Sequence, residues 1–139
     1  MVRQSIPANL SALSDIRRLV HQACQKVGLG ETATYRLILA VDEIATNIIT
    51  HGYEEQGLTG DIVVSIEQTD RDLIVTLKDT GVAYDPRTRG IPTAEDLGKP
   101  LEDREIGGLG IFLALQDVDH FDYQRRDNVN CNIFGINLA

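Results

Sequence analysis

The stretch "AVDEIATNIITHGY" at residues 40–53 decides how the chain is interpreted. It is an Ile-rich, helix-forming run, yet it carries Glu43, Asn47 and His51 at intervals of four residues. Each residue of an α-helix turns about 100°, so this spacing predicts one polar ridge along the helix edge. Asn is a mediocre helix former, which favours a role beyond the helix, although a plain polar margin is the alternative. The residues predicted to form the buried face beside the ridge are Leu37, Val41, Ile44, Ala45, Ile48 and Ile49.

The composition predicts one compact domain spanning residues 1–139. Thirteen Lys and Arg against 21 Asp and Glu give a formal net charge of −8, which argues against a direct nucleic-acid surface. No apolar run approaches the roughly 20 residues that cross a bilayer, and the N-terminus does not resemble a signal peptide. Cys24 and Cys131 lie far apart and are predicted to be buried free thiols. We therefore expect a cytoplasmic protein without a membrane segment.

Hydrophobic periodicity predicts an α+β fold, a two-layer sandwich. Alternating residues indicate a mixed or antiparallel sheet of about five strands, and helical spacing indicates three helices on one face of it. The predicted elements are a strand at 2–8, a helix from Ser11 or Ser14 to about 27, a helix from Glu31 or Thr32 to about Gly52, a hairpin of "DIVVSIEQ" and "DLIVTLKD" around "TDRD", a helix after the glycines at 107–110, and strands near 119–126 and 130–138 joined at Asp127-Asn128.

Residues 84–106 fit neither pattern, since they hold three of the four prolines and only scattered apolar residues. A long connection without regular structure in a small domain is typical of a functional loop, a lid or a linker. The segment lies between two glycine motifs, which favours a flexible lid over about 84–106.

The first of those motifs is "LKDTGVAYDP", in which Asp79 ends a strand and Gly81 permits a sharp turn or a close approach of the backbone to a ligand. An ordinary strand-end turn is the alternative. The second motif is "IGGLGIFL", whose glycines precede an apolar helical run. Free backbone N–H groups at a helix start suit a phosphate chain, whereas a flexible joint is the alternative. Because it follows a lid rather than a strand, this motif is neither a Rossmann fingerprint nor a Walker loop.

Taken together and in this order, the motifs resemble the GHKL (Bergerat-fold) ATP-binding superfamily over essentially the whole chain. "AVDEIATNIITHGY", "DTGVAYDP" and "GGLGIFL" are most similar to anti-sigma-factor serine kinases of the RsbW type. The resemblance implies ATP and Mg²⁺ as cofactors. It implies that Asn47 binds the metal, that Asp79 accepts a hydrogen bond from the adenine amino group, and that Gly81 lets the backbone pass close to the base. The triphosphate would be lined by Gly107, Gly108, Leu109 and Gly110.

The same resemblance makes Glu43 the general base, which accepts a proton from a substrate hydroxyl or orients that hydroxyl. His51 would contact a phosphate or cap the helix end. The γ-phosphate would be neutralised by one of the lid cations, Arg87, Arg89, Lys99 and Arg104.

The chain departs from the family pattern at two places. Ala83 stands where a second glycine of the Asp-x-Gly-x-Gly motif is usual. Where the family often has Gly-Thr beside adenine, this chain has "NVNCNIF", so Asn130 or Cys131 takes the place of the Thr. Both departures concern nucleotide fit.

The resemblance implies a protein serine/threonine kinase that acts as an anti-sigma-type regulator in a partner switch. Its expected partners are a sigma factor or comparable regulator, a small anti-anti-sigma (STAS-type) protein as substrate, and a second copy of the chain in a homodimer. A nucleotide-binding interaction module with little or no kinase activity is the alternative, favoured by Ala83 and the missing Thr. A histidine kinase catalytic domain or a chaperone- or gyrase-type ATPase fits less well, because the chain has no phosphoacceptor helix and no room for further domains.

Overall fold

A computed structural model describes residues 2–89, 111 and 114–138 of the chain, with the backbone alone at residues 88 and 89. Its sheet has five strands in the order β1-β2-β3-β5-β4, and every neighbouring pair is antiparallel. The α+β prediction is confirmed, and the sheet contains no parallel pair among the described strands. The bounds are β1 Val2–Pro7, α1 Ala12–Lys26, α2 Glu31–Asn47, β2 Asp61–Gln68, β3 Asp72–Asp79, α3 Pro86–Arg89, β4 His120–Arg126 and β5 Val129–Asn137, with further helix at residues 111 and 114–116.

The hairpin turns follow from local chemistry. Between β2 and β3, the Thr69 hydroxyl accepts the Asp72 backbone N–H at 3.0 Å, which closes the predicted turn. Between β4 and β5, Asp127 and Asn128 have φ of 53° and 64°. A two-residue hairpin that matches strand twist needs positive φ at both positions, and Asn and Asp tolerate it better than other side chains. This turn sets β4 beside β5 and pairs Arg125 with Asn130 across the two strands.

The core lies between the sheet and the helices, as the period-two pattern predicts. Inward side chains of β2 and β3 pack with the buried faces of α1 and α2, and burial of this apolar surface is the main stabilising contribution. The inward face of β5 changes from polar to apolar along the strand. Phe134 and Ile136 belong to the core, whereas Asn130 and Asn132 are buried polar residues at 3% and 2% exposure.

Three sequence predictions need correction or limits. Ser11 occupies the N-cap of α1, but its side chain makes no capping bond to the helix and donates instead to Asn9 Oδ1. Residues 86–89 of the predicted lid form the short helix α3, so the segment is not irregular at its start. Residues 90–106 of the lid and Gly107–Gly110 lie outside the described residues. No helix among the described parts of the chain has the length and apolar character to span a bilayer.

Candidate functional site

A narrow cleft lies between the C-terminal end of α2 and the adjoining ends of β3 and β5, and its free space is about 10 Å³, roughly one water-sized sphere. It brings together two residues that the sequence singled out independently, Asn47 and Asp79. Its described lining residues are Ile44, Asn47, Ile48, Gly52, Asp79, Val82, Tyr84, Pro86, Asn130 and Asn132. Five of these ten residues carry a polar side chain, and polar groups that converge between apolar walls are typical of a small-molecule site.

Asp79 lines this cleft and is 3% exposed. Its Oδ1 accepts the backbone N–H of Gly81 at 2.9 Å and the side-chain N–H of Asn130 at 2.9 Å. Its Oδ2 is buried and has no partner among the described residues. Burial raises the pKa of Asp79, while the bonds from Asn130 and Gly81 and the charge of Arg125 act in the opposite direction. A buried acceptor without a donor costs free energy, so Oδ2 is suited to an amino group of a ligand.

Asn130 holds Asp79 in this orientation. Its Nδ2 donates to Asp79 Oδ1 and to Gly81 O at 3.1 Å, and its Oδ1 accepts from Arg125 Nη1 at 2.8 Å and from the Tyr123 hydroxyl. Asn130, and not Cys131, therefore takes the place beside Asp79, because Cys131 is the next residue of β5 and belongs to a different surface hollow. Tyr123 and Arg125 were missed by sequence reasoning, although the predicted hairpin register pairs Arg125 with Asn130.

The two sides of the cleft are joined at Gly81 and Gly52. A Cβ on Gly81 would lie 2.7 Å from Gly52 O, so only glycine fits there without a shift. Val82 N donates to the same oxygen at 3.2 Å, and Thr80 N donates to the hydroxyl of buried Tyr53 at 2.8 Å. The sequence predicted a turn or a close approach to a ligand at Gly81, and the approach found here is to the protein's own backbone.

The predicted helix 31–52 continues past Asn47 as a π-helix, Ile48–Tyr53. Its wider turn rotates His51 away from the straight ridge that α-helical spacing predicts. His51 does not line the cleft: its Nδ1 lies 2.9 Å from Glu55 Oε2, and its ring stacks on Tyr84 with centroids 6.0 Å apart. Asn47 remains in the cleft wall at 8% exposure.

Asn47 Nδ2 donates to the Glu43 carbonyl one turn earlier, at 2.8 Å. This bond commits the nitrogen to the helix and leaves the side-chain oxygen as the end of the amide that a ligand can use. A neutral oxygen of this kind suits Mg²⁺, which takes most of its ligands from phosphates and water.

Glu43 is half-buried one turn before Asn47 and is not among the described residues that line the cleft. Burial raises its pKa, and the adjacent carboxylate of Asp42 raises it further. A carboxylate with a raised pKa is a stronger proton acceptor than an ordinary one, which is the property that a general base requires.

The remaining candidates are placed less favourably. Ala83 is exposed and is not among the lining residues. Arg87 is held by Asp85 and Asp122, each at 2.9 Å, so its charge is already matched by two carboxylates. Arg89, as a side chain, and Lys99, Arg104, Gly107, Gly108, Leu109 and Gly110 lie outside the described residues.

Known proteins support a common family for this arrangement. A family model described as a histidine kinase-like ATPase domain matches residues 6–134. The chain is 33% identical over 96 residues to the serine/threonine-protein kinase BtrW of Bordetella bronchiseptica, covering 69% of this chain and 65% of that protein. It is 28% identical over 129 residues to the serine-protein kinase RsbW of Halalkalibacterium halodurans, covering 92% and 78% respectively.

Among solved structures, a chain from the SiaB–SiaC complex of Pseudomonas aeruginosa superposes with a TM-score of 0.63, at 10% identity, over 98% of this chain and 89% of that one. At this identity the likeness concerns the fold alone.

Proposed function

This chain belongs to the histidine kinase-like ATPase domain family, and we propose that it is an ATP-dependent protein serine/threonine kinase. Two relatives that are named as serine or serine/threonine-protein kinases support the activity. The chain spans 65% of the length of one of them, BtrW. The observation that carries the proposal is the buried Oδ2 of Asp79, which no described residue bonds, in a cleft that also contains Asn47.

The chemistry of the cleft residues suits ATP as the phosphoryl donor, and the cleft must widen to admit it, since its free space is about 10 Å³ in the structure. Asp79 Oδ2 would accept a hydrogen from the exocyclic amino group of adenine, and apolar side chains such as Ile44, Ile48 and Val82 would contact the base. Guanine presents a carbonyl at the same ring position, which would set an acceptor against a buried acceptor. The base end of the cleft therefore favours adenine.

The phosphate end of the cleft would hold Mg²⁺ through Asn47 Oδ1. The ion supplies charge neutralisation for the phosphate oxygens. Asn47 is one turn from Glu43, so the same helix face presents a metal ligand and a proton acceptor. The glycine motif 107–110 would complete the phosphate site, as the family resemblance implies.

In the proposed reaction the hydroxyl oxygen of a Ser or Thr side chain attacks the γ-phosphorus of ATP. The new O–P bond forms as the bond to ADP breaks, and the hydroxyl proton passes to the Glu43 carboxylate. Phosphoryl transfer depends mostly on positioning and charge neutralisation, so the list of catalytic side chains can be short. The pKa of Glu43, raised by burial, strengthens it as the acceptor.

The protein substrate would be a small anti-anti-sigma antagonist, and the regulated partner a sigma factor or comparable regulator, with the chain working as a cytoplasmic homodimer. These partners follow from the family resemblance. The alternative, a nucleotide-binding module without kinase activity, is favoured by one observation: Glu43 is not among the residues that line the described cleft.

The test is a Glu43→Gln variant assayed with Mg·ATP and candidate antagonist proteins. We expect phosphoserine or phosphothreonine formation by the unaltered chain and a loss of at least about a hundredfold in the variant, in line with the loss of a general base. Calorimetry should show the same ATP affinity for both proteins, because the change removes a proton acceptor and no contact to the base.

Glu55→Gln is a matched control, since Glu55 is an exposed carboxylate that pairs with His51 outside the cleft. It should leave both rate and affinity unchanged. ATP binding without any phosphoryl transfer by the unaltered chain would instead establish the binding-module alternative.

A further inference from the structure

Asn132 is a fourth buried polar residue in the cleft, after Asn47, Asp79 and Asn130, and the family resemblance gives it no role. It is 2% exposed, it lines the cleft with Asp79, and its side-chain oxygen is buried with no hydrogen-bond partner among the described residues. Its position on β5 is otherwise continuous with the apolar core, since the next inward residue is Phe134. A valine or leucine there would pack without an orphaned polar atom.

The contrast with Asn130, two residues earlier on the same face of β5, shows what a structural asparagine looks like in this site. Asn130 uses both ends of its amide on Asp79, Gly81, Arg125 and Tyr123. An unmatched buried carbonyl costs about 1–3 kcal/mol relative to a bonded one. No described residue donates to the Asn132 oxygen, and a donor that arrives with a ligand would account for it.

The strand register places Asn132 and Asp79 close enough to act on one atom. Asp79 pairs directly with Asn130, so Asn132 is its diagonal neighbour on the inward face. Diagonal neighbours of antiparallel strands are about 7–8 Å apart at the backbone, within joint reach of two side chains that lean toward a group between them. The cleft thus contains two buried orphan acceptors, Asp79 Oδ2 and Asn132 Oδ1, on adjacent strands.

We propose that Asn132 is a second base-recognition residue: its side-chain oxygen and Asp79 Oδ2 each accept one of the two hydrogens of the exocyclic amino group of adenine. This inference rests on the proposed function, because it assumes that adenine enters the cleft. It adds a specificity that a single acceptor does not confer. If only one acceptor recognised the base, an amino group carrying one methyl substituent could still donate its remaining hydrogen to it. If two acceptors recognise the base, the methylated amino group has one hydrogen too few and leaves one acceptor unpaired.

The experiment measures dissociation constants by calorimetry for ATP and N6-methyl-ATP, with Mg²⁺ present, and the thermal stability of the ligand-free protein. We expect the unaltered chain to bind ATP more tightly than N6-methyl-ATP by about tenfold to a hundredfold, the effect of leaving one buried acceptor unpaired. Asn132→Leu keeps the branching and the heavy-atom count of the side chain but removes the acceptor. It should weaken ATP binding by about tenfold and bring the ratio of the two affinities to about one.

Ligand-free Asn132→Leu should melt at the same temperature as the unaltered chain or higher, because the substitution removes an unpaired polar group from the interior. A purely structural Asn132 would instead lower the melting temperature and leave the affinity ratio unchanged. Asn137→Leu is the matched control, as it makes the same substitution at an exposed position of the same strand. It should leave both affinities unchanged.

Two results would overturn the inference while ATP binding stands. One is equal affinity of the unaltered chain for ATP and N6-methyl-ATP, which needs no variant to fold. The other is a ratio of ATP affinity to N6-methyl-ATP affinity that is the same in Asn132→Leu as in the unaltered chain. That result would mean that steric exclusion discriminates between the two nucleotides, or that the Asn132 oxygen bonds a water molecule. Failure of ATP itself to bind would remove the proposed function together with the inference.

Discussion

The two ends of the cleft are built differently. At the base end, Asp79 and Asn130 are each 3% exposed and share a network of hydrogen bonds with Gly81 and Arg125. At the metal end, Asn47 has one described side-chain bond, to the Glu43 carbonyl. Groups whose positions are locked by their neighbours recognise a ligand with little ordering cost. We infer that the groups that recognise the base are already in position before the ligand binds. At the metal end, by contrast, the side-chain oxygen of Asn47 is positioned by the phosphates and the metal when they bind.

The largest expected effect comes from Asp79→Asn. Gly81 N and Asn130 Nδ2 both donate to the position of Oδ1, so the new amide must place its oxygen there and its nitrogen at the position of Oδ2. That nitrogen would point a donor at the amino group of adenine. We expect ATP affinity to fall by about a hundredfold or more, with or without Mg²⁺, because a favourable contact becomes a donor–donor clash. Calorimetry measures both conditions.

Asn47→Leu is the matched variant at the metal end. It should abolish only the gain in affinity that Mg²⁺ produces and leave metal-free binding of the adenine nucleotide unchanged. If Asp79→Asn and Asn47→Leu lost the same ATP affinity both with and without Mg²⁺, the two ends of the cleft would not act separately.

A smaller effect is expected where the two ends meet. Gly81→Ala would place a methyl group 2.7 Å from Gly52 O and force the turn after β3 away from the end of the π-helix. We expect a loss of about 1–3 kcal/mol in the free energy of unfolding, the usual cost of overpacking. Urea denaturation followed by circular dichroism gives this value.

Gly52→Ala tests the same contact from its other side. A Cβ there meets no atom closer than 4.0 Å, so this substitution should change the free energy of unfolding far less than Gly81→Ala. Comparable destabilisation by both would mean that the contact between the two glycines does not limit the residue types at these positions.

Much of the fold was predictable because local periodicity determines it. The alternation of apolar and polar residues predicted the bounds of β2 and β3 as the structure has them. The turn between β4 and β5 was also predicted at Asp127-Asn128, and both residues have the positive φ that Asp and Asn tolerate better than other side chains. Ser11 is the N-cap of α1, one of the two predicted positions, but its side chain bonds Asn9 instead of the helix. Competition among local polar partners decides such a cap, and spacing alone does not reveal it.

The candidate site was predictable in part. Asn47 and Asp79 stood out because each interrupts a regular element, and the structure places both in one cleft. The contact of Gly81 with Gly52 and the bonds of Arg125 to Asn130 and Gly81 depend on how remote segments approach each other. Asn132 was overlooked because the sequence does not show which groups surround it. Its side-chain oxygen becomes notable only in the structure, where no described residue donates a hydrogen bond to it.

The most direct test is a crystal structure of the chain with Mg²⁺ and a non-hydrolysable ATP analogue. The account predicts the amino nitrogen of adenine within hydrogen-bond distance of Asp79 Oδ2, and the metal bound to Asn47 Oδ1. A nucleotide bound elsewhere on the protein, or in the cleft with its base turned away from Asp79, would contradict it.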